Sequence, residues 1–317
     1  MVFGNSSGQH FHETLETVFT KYRVSTKTCT KIVHSSGSLI FIPENAFALD
    51  ANNSVDSLDI YYREMLSPLD MLIHDIPMIY TLAGQTMYLE SNGMFEICGK
   101  SKQDTIAVHE DKSIEVRLAM SESQAEQRME GYRFDQITNL WTSYSNQLPK
   151  IRVDNMDDDL WGSAAVQNEE FLEEEWEGDS VWARADSIRR AAFQAMEIFD
   201  FGLYNYDKVI DTETFISIQA DFISKTSQQP LNATVYVVYN GINSIFYYPP
   251  DKWANDFSII QNRSYKLFSI DADGRIAKLN NFPLLRDIED KAYTFQLEKE
   301  SGIPTNRQEL AKLTGIR

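Results

Sequence analysis

Alternation constrains this chain more than any other feature. In "LDIYYREM", Leu58, Ile60 and Tyr62 share one side while Asp59, Tyr61 and Arg63 share the other. In "SIEVRLAM", Ile114, Val116 and Leu118 alternate with Glu115 and Arg117. Successive side chains of extended backbone point to opposite faces, so a period of two reads as strand. A strand with one apolar side must bury that side against a second apolar layer. "TMYLE" and "GMFEICG" add strands, and the turn signals "DANNS", "LAGQ", "SNG" and "EDKS" separate them. Short strands at regular spacing over 21–145 predict an antiparallel sandwich.

The same period returns near residue 190. "FISIQADF" sets Ile216, Ile218, Ala220 and Phe222 together, and "AYTFQLEKE" aligns Tyr293, Phe295 and Leu297. "VYVVYN" is apolar on both sides and predicts a central strand. "LFSIDADGRIAKL" predicts a hairpin with Asp273-Gly274 as a type I′ turn. The expected fold class is therefore mainly β, with two antiparallel sandwich-like domains. The 15 Tyr and 18 Phe suit that class, since aromatic side chains favour strands.

Helical spacing is confined to short pieces. Phe11, Leu15, Val18 and Phe19 predict a helix or arm over 1–20. "SPLDMLIHDIP" places Leu69, Leu72 and Ile73 at helical spacing between strands. "PTNRQELAKLTGIR" predicts a final helix over 304–317, with Thr305 or Asn306 as N-cap and Gly315 as stop. "LIFIPENAFALD" reads as a buried strand ended by Pro43, then one helical turn over Glu44–Phe47. That turn is expected to be a packing corner, with Phe47 plugging the end of the sandwich.

Between the two β-domains the pattern breaks. Residues 146–187 hold eleven acids from Asp154 to Asp179, with no base between Arg152 and Arg184. This predicts an acidic connecting segment, with a second β-domain over 188–303. A calcium-dependent adhesin using 154–179 is the functional alternative. The segment lacks the turn glycine and distal Glu of an EF-hand loop.

The formal net charge of −18, from 47 acids and 29 bases, repels phosphate backbones and anionic lipid surfaces. Nucleic acid is therefore not an expected partner. No run of 18 apolar residues occurs, so no transmembrane helix is expected, and no basic n-region with an apolar core opens the chain. Cys29 and Cys98 are the only cysteines; their spacing leaves open whether they pair.

The common catalytic templates are missing. There is no GxSxG, GxxxxGK[ST] or GxGxxG, and "HETLE" ends in Glu16 where a zincin would place His. His10 and His12 flank Phe11 as polar residues near the start. His34 precedes Ser35 and Ser36, but neighbours on a strand point apart, so no nucleophile–base dyad is expected. His74 and His109 stand alone. "DADG" begins like a calcium loop but continues as a hairpin. No catalytic residue, metal ligand or cofactor is assigned. The exposed-aromatic candidates are Tyr247, Tyr248 and Trp253 in "IFYYPPDKW", read as a sugar or peptide platform or, alternatively, as packing between domains.

Several segments together carry a resemblance. Gly37, Ile42, Pro43, Ala46, Phe47, Asp50, Glu64, Ser67, Pro68 and Ile76-Pro77 follow one spacing, "ESNGMFEI" and "GYRFDQITNLW" follow in order, and "FGLYNYDKV" contains Gly202, Asn205 and Asp207. This order resembles the bacterial surface or periplasmic lipoproteins common in Bacteroidetes, whose N-terminal β-sandwich is related to ZU5-type domains. The resemblance implies a non-enzymatic cell-envelope module that binds a protein or glycan or serves structurally. It also implies that Gly202, Asn205 and Asp207 open the second β-domain. A lipobox Cys is absent from this sequence, and a cytoplasmic address is the alternative. The His-Phe-Ser step at which some ZU5 domains cleave themselves is absent too; "HSSGS" is the nearest stretch. The competing function is a β-scaffold hydrolase acting on glycan or peptide.

Overall fold

The computed structural model describes residues 15, 17–49, 55–82, 85–102, 104–120, 129–144, 151–152, 192–211, 215–253, 257–261, 263–280 and 292–316. The acidic segment, its calcium reading and most of the expected N-terminal helix lie outside them. Strands account for 57% of the structure and helices for 7%, so the fold class is mainly β.

In chain order the first strands are β1 (Thr20–Ser25), β2 (Thr30–Val33), β3 (Leu39–Ile42), β4 (Phe47–Ala48) and β5 (Ser57–Met65). Helix α1 (Pro68–Ile73) precedes β6 (Ile79–Leu82), β7 (Gln85–Ser101), β8 (Asp104–Val108), β9 (Ile114–Met120), β10 (Glu130–Asp135), β11 (Leu140–Tyr144) and β12 (Ile151–Arg152). Then come β13 (Ala192–Ile198), β14 (Gly202–Ile210), β15 (Phe215–Ser217), β16 (Gln219–Ser224), β17 (Ala233–Tyr239) and β18 (Phe246–Tyr248). Last are β19 (Ser258–Ile260), β20 (Tyr265–Asp271), β21 (Ile276–Lys278), β22 (Ala292–Lys299) and helix α2 (Arg307–Thr314).

Two sheets face each other in the first half. The nine-stranded sheet runs β1-β5-β7-β14-β10-β11-β6, with β8 beside β7 and β4 beside β8. The five-stranded sheet runs β12-β13-β9-β3-β2. Their inner faces are the alternating residues read from the sequence. Leu58, Ile60 and Tyr62 of β5, Phe95 and Ile97 of β7, and Ile114, Val116 and Leu118 of β9 form one buried cluster. Each such side chain contributes about 1.5–3 kcal/mol by leaving water.

Strand pairing crosses the expected boundary at 187/188. β13 pairs with β9 along its whole length, and β14 lies between β7 and β10. Gly202, Asn205 and Asp207 therefore sit inside the first half's larger sheet and do not open a second domain. Strand β6 pairs with β7 and also, in parallel, with β11. The ring β7-β14-β10-β11-β6 is thereby closed. Tyr132, Phe134 and Trp141 share one face of it, and Trp141 Nε1 donates to the Pro77 carbonyl at 2.6 Å. At the β7–β14 bulge Gly93 has φ +136°, and a Cβ there would stand 2.8 Å from Leu118 Cδ2. Only glycine meets both demands.

The second half is a six-stranded sheet, β16-β22-β21-β20-β17-β18, with the two-stranded sheet β15-β19 over one face. Phe257, Ile259 and Ile260 pack there with Val235, Val237, Leu267 and Phe295. The opposite face sends Tyr236, Val238, Phe268 and Ile270 into a cluster shared with α1, α2 and the closed ring. Burial on both faces explains why "VYVVY" carries no polar alternation. One pair here, β16 with β22, is parallel.

Both short helices form as read. Ser67 and Asp70 make a capping box on α1; Asn306 caps α2, and Gly315 ends it at φ +72°. Two local expectations are corrected. Residues Glu44–Phe47 make no helical turn: Asn45 is left-handed at φ 55°, its N–H donates to the Thr26 carbonyl, and Phe47 opens β4 against β8. Proline's ring and the left-handed asparagine turn the chain in fewer residues than a helix needs. The hairpin at 271–274 forms, but only Gly274 has positive φ, so its turn is not type I′. The carbonyl of Asp271 accepts from Gly274 N, closing a wider turn.

Candidate functional site

The open face of the nine-stranded sheet holds a mostly apolar groove of about 610 Å³. Alternation builds its floor. Because Ile60, Tyr62 and Ile97 point inward, Tyr61, Glu96, Cys98 and Lys100 must point out. Arg133 of β10 and Gly202 at the start of β14 complete the floor, and Phe201 lies beside it. Phe19, immediately before β1, and Ile137, in the β10–β11 turn, form opposite rims. Ile137 is 95% exposed, and Val18 beside Phe19 is 83% exposed.

The groove's charges are unevenly matched. Arg63 is buried against Glu96, with Nε 2.7 Å and NH2 2.6 Å from Oε2. Its guanidinium also lies 4.3 Å from the Phe19 ring centroid and donates to the Thr17 carbonyl at 3.1 Å, which seats the Phe19 rim. Asp135 is committed to its own turn, accepting from Ile137 N at 2.9 Å and from Thr138 Oγ1 at 2.9 Å. Those bonds hold its carboxyl below the ordinary carboxylate range and fix the loop that presents Ile137. Arg133 NH2 pairs with Asp200 at 3.0 Å, while its buried Nε has no hydrogen-bond partner among the described residues. The Lys100 ammonium lies 5.2 Å over the Tyr61 ring, and no described carboxylate pairs with it.

A second cluster lies at the β2–β3 turn. Tyr22 Oη and His34 Nδ1 share a hydrogen bond of 2.7 Å, and Glu64 accepts from Tyr62 Oη at 2.8 Å and Ser36 Oγ at 3.0 Å. Burial, with the Glu64 charge, pushes the Tyr22 hydroxyl up to about 12. Ser38 Oγ accepts from Ala119 N, tying this turn to β9. These bonds satisfy buried polar groups at the sandwich end.

A third cluster joins the termini of the fold. Asp70 accepts from Leu66 N, Ser67 N and Thr17 Oγ1, and pairs with Arg307 NH2 of α2 at 2.5 Å. His74 Nε2 accepts from Thr17 N; burial and the nearby Arg63 charge depress its pKa to about 3. The imidazole is thus neutral and acts as an acceptor.

The aromatic candidates do not form a platform. Tyr248 and Trp253 are buried in the second-half core, where Trp253 Nε1 donates to the Tyr248 carbonyl and Tyr248 Oη to the Ser258 carbonyl. Tyr247, the next residue on β18, points to the opposite face and packs on the shared cluster between the halves. Packing is what these rings do. Pro43 and the buried Phe47 sit at the sandwich corner, where Phe47 stacks with Phe201 at 6.5 Å. Asn205 and Asp207 join Ser91 in a buried chain: Ser91 Oγ donates to Asn205 Oδ1, and Asn205 Nδ2 to Asp207 Oδ2, each at 2.6 Å. Cys29 and Cys98 are free thiols, one exposed and one half-buried in the groove. Among the described residues no group of acids, histidines and cysteines has metal-binding geometry, and no helix is long and apolar enough to cross a membrane.

Sequence reasoning missed the groove, although its signal was present in the outward half of "LDIYYREM" and of "FEICGK". No protein-family model, curated protein or solved structure matches this chain. The fold and groove define a multi-sheet β protein with one open, partly apolar sheet face.

Proposed function

We propose that this protein is a non-enzymatic binding module of the bacterial cell envelope, and that it engages a partner protein on the open face of its nine-stranded sheet. One observation carries the binding half of this reading. The groove combines an aromatic and arginine floor with apolar rims, Phe19 and Ile137, of which Ile137 is almost wholly in water. Exposed apolar residues around a concavity mark interaction sites, and protein interfaces favour aromatic residues and Arg at their centres. Polar rims would serve a glycan better than these apolar ones do. The envelope half is supported by the ZU5-like resemblance.

Site-specific photo-crosslinking in the source organism tests both halves. A benzophenone side chain at position 137 is expected to capture one envelope protein, while the same group at Asn280 in the second half captures none. Equal capture at both positions, or fractionation of the protein with the cytoplasm, overturns the corresponding half.

A further inference from the structure

The partner's chemistry follows from the charges around the groove. Over the whole chain acids outnumber bases by 47 to 29, so an acidic partner is repelled across most of the surface. The groove is different. Glu96 is paired with Arg63, the Asp135 carboxylate stays ionised but is turned to the donors of its own loop, and Asp200 meets only NH2 of Arg133. Two donors remain. Among the described residues, Lys100 rests over Tyr61 with no carboxylate paired to it, Asp59 opposite it being held by Lys21 and Arg23, and Arg133 Nε is buried with no acceptor. Gly202 lies beside that nitrogen, where a Cβ would stand 3.8 Å from Arg133 Nε, at ordinary contact distance.

Resting on the binding reading above, we infer that the groove takes an acidic segment of a partner protein. Its carboxylates are set against Lys100 and Arg133 Nε, and its apolar side chains are laid between Phe19 and Ile137. A carboxylate supplies the acceptor that Arg133 Nε lacks and the counter-charge that Lys100 lacks. The apolar side chains cover rims that otherwise stay wet. Within a chain of net charge −18, a groove whose acids are matched by its bases repels an acidic segment less than the rest of the surface does.

Selection of a random peptide-display library on the full chain is the test. Enriched peptides are expected to carry Asp or Glu next to an aliphatic or aromatic residue. Synthetic copies should bind about tenfold more weakly to Lys100→Glu, less weakly to Lys100→Ala, and more weakly as salt rises. Thermal melts establish that each variant is folded. Peptides that need Phe19 and Ile137 but carry no acidic residue and ignore Lys100→Glu overturn this inference alone. Failure to enrich any peptide, or binding that survives Ile137→Asp and Phe19→Ala, overturns the binding reading itself. Self-association across a concentration series, abolished by Ile137→Asp, replaces the acidic segment with a second copy and also overturns the inference.

Discussion

The two faces of the nine-stranded sheet are made by the same strands and obey different rules. On β5 and β7, Ile60, Tyr62, Phe95 and Ile97 face inward and are fully buried in a shared apolar cluster. One position along, Tyr61, Arg63, Glu96, Cys98 and Lys100 face outward with rings, charges and a thiol. The inner face is fixed by water exclusion, which tolerates only apolar groups of the right volume. The outer face is free of that demand, so its composition reports something else. The contrast shows that core packing and surface chemistry are interleaved residue by residue in one stretch of chain.

The inner face should break hardest. Phe95 is fully buried, with Tyr62 stacked at 6.0 Å and Tyr204 at 5.4 Å. Phe95→Ala is expected to cost about 3–5 kcal/mol in urea unfolding, and Phe47→Ala at the corner a similar amount. A cost under about 1 kcal/mol for either would mean that the site collapses freely and the face is not tightly packed.

The outer face holds one buried interaction that should behave differently from a packed ring. Glu96→Leu removes the carboxylate that faces the buried Arg63 guanidinium, and a loss of roughly 3 kcal/mol is expected. Adding Arg63→Met should restore most of it, since two apolar groups avoid the desolvation of two ions. A double-mutant cycle measures the recovery. No recovery would show that Arg63 acts through Phe19 and the Thr17 carbonyl more than through Glu96.

Between the faces, at the β7–β14 bulge, lies a group that sets a pH slope. Complete burial, with Glu90 nearby, holds the Asp207 carboxyl well above the ordinary carboxylate range. Its Oδ1 has no partner among the described residues. A carboxyl raised in the folded state favours the protonated form, so stability falls as pH rises above about 4, the unfolded value, until the folded pKa is reached. Asp207→Asn keeps an acceptor for Asn205 Nδ2 and removes the slope. The variant should gain on the wild type steadily from acid to neutral pH in denaturant titrations. A constant difference across that range would mean that Asp207 is not the titrating group.

These contrasts also show what the sequence could and could not reveal. The inner face was legible because alternation is local: Leu58, Ile60 and Tyr62 declare themselves within five residues. Both helices were legible for the same reason, since Leu69, Leu72 and Ile73 in one, and Asn306 and Gly315 in the other, act within a turn or two. Pairing was not legible. β13 and β14 follow the long acidic segment and still complete sheets begun before it, because partners are chosen by complementary faces and not by neighbourhood. The parallel contacts β6–β11 and β16–β22 were hidden likewise. The groove failed to show because Phe19, Tyr61, Lys100, Arg133 and Ile137 come from five separate elements. Tyr247, Tyr248 and Trp253 drew attention through adjacent prolines, yet successive strand residues cannot face the same ligand.

The smallest expected effect on stability is the one that separates the faces most sharply. Ile137 is 95% exposed, its loop is held by Asp135 and not by its own side chain, and nothing of the core depends on it. Ile137→Ser should therefore change the unfolding free energy by less than about 0.5 kcal/mol. Under the proposed binding role, this isoleucine is covered in the bound state and contributes nothing to the core of the free protein. Partner binding should weaken in Ile137→Ser while the thermal midpoint stays where it was. If instead the midpoint falls by several degrees and binding is unchanged, the rim belongs to the fold, and the outer face loses its claim to be the interaction surface.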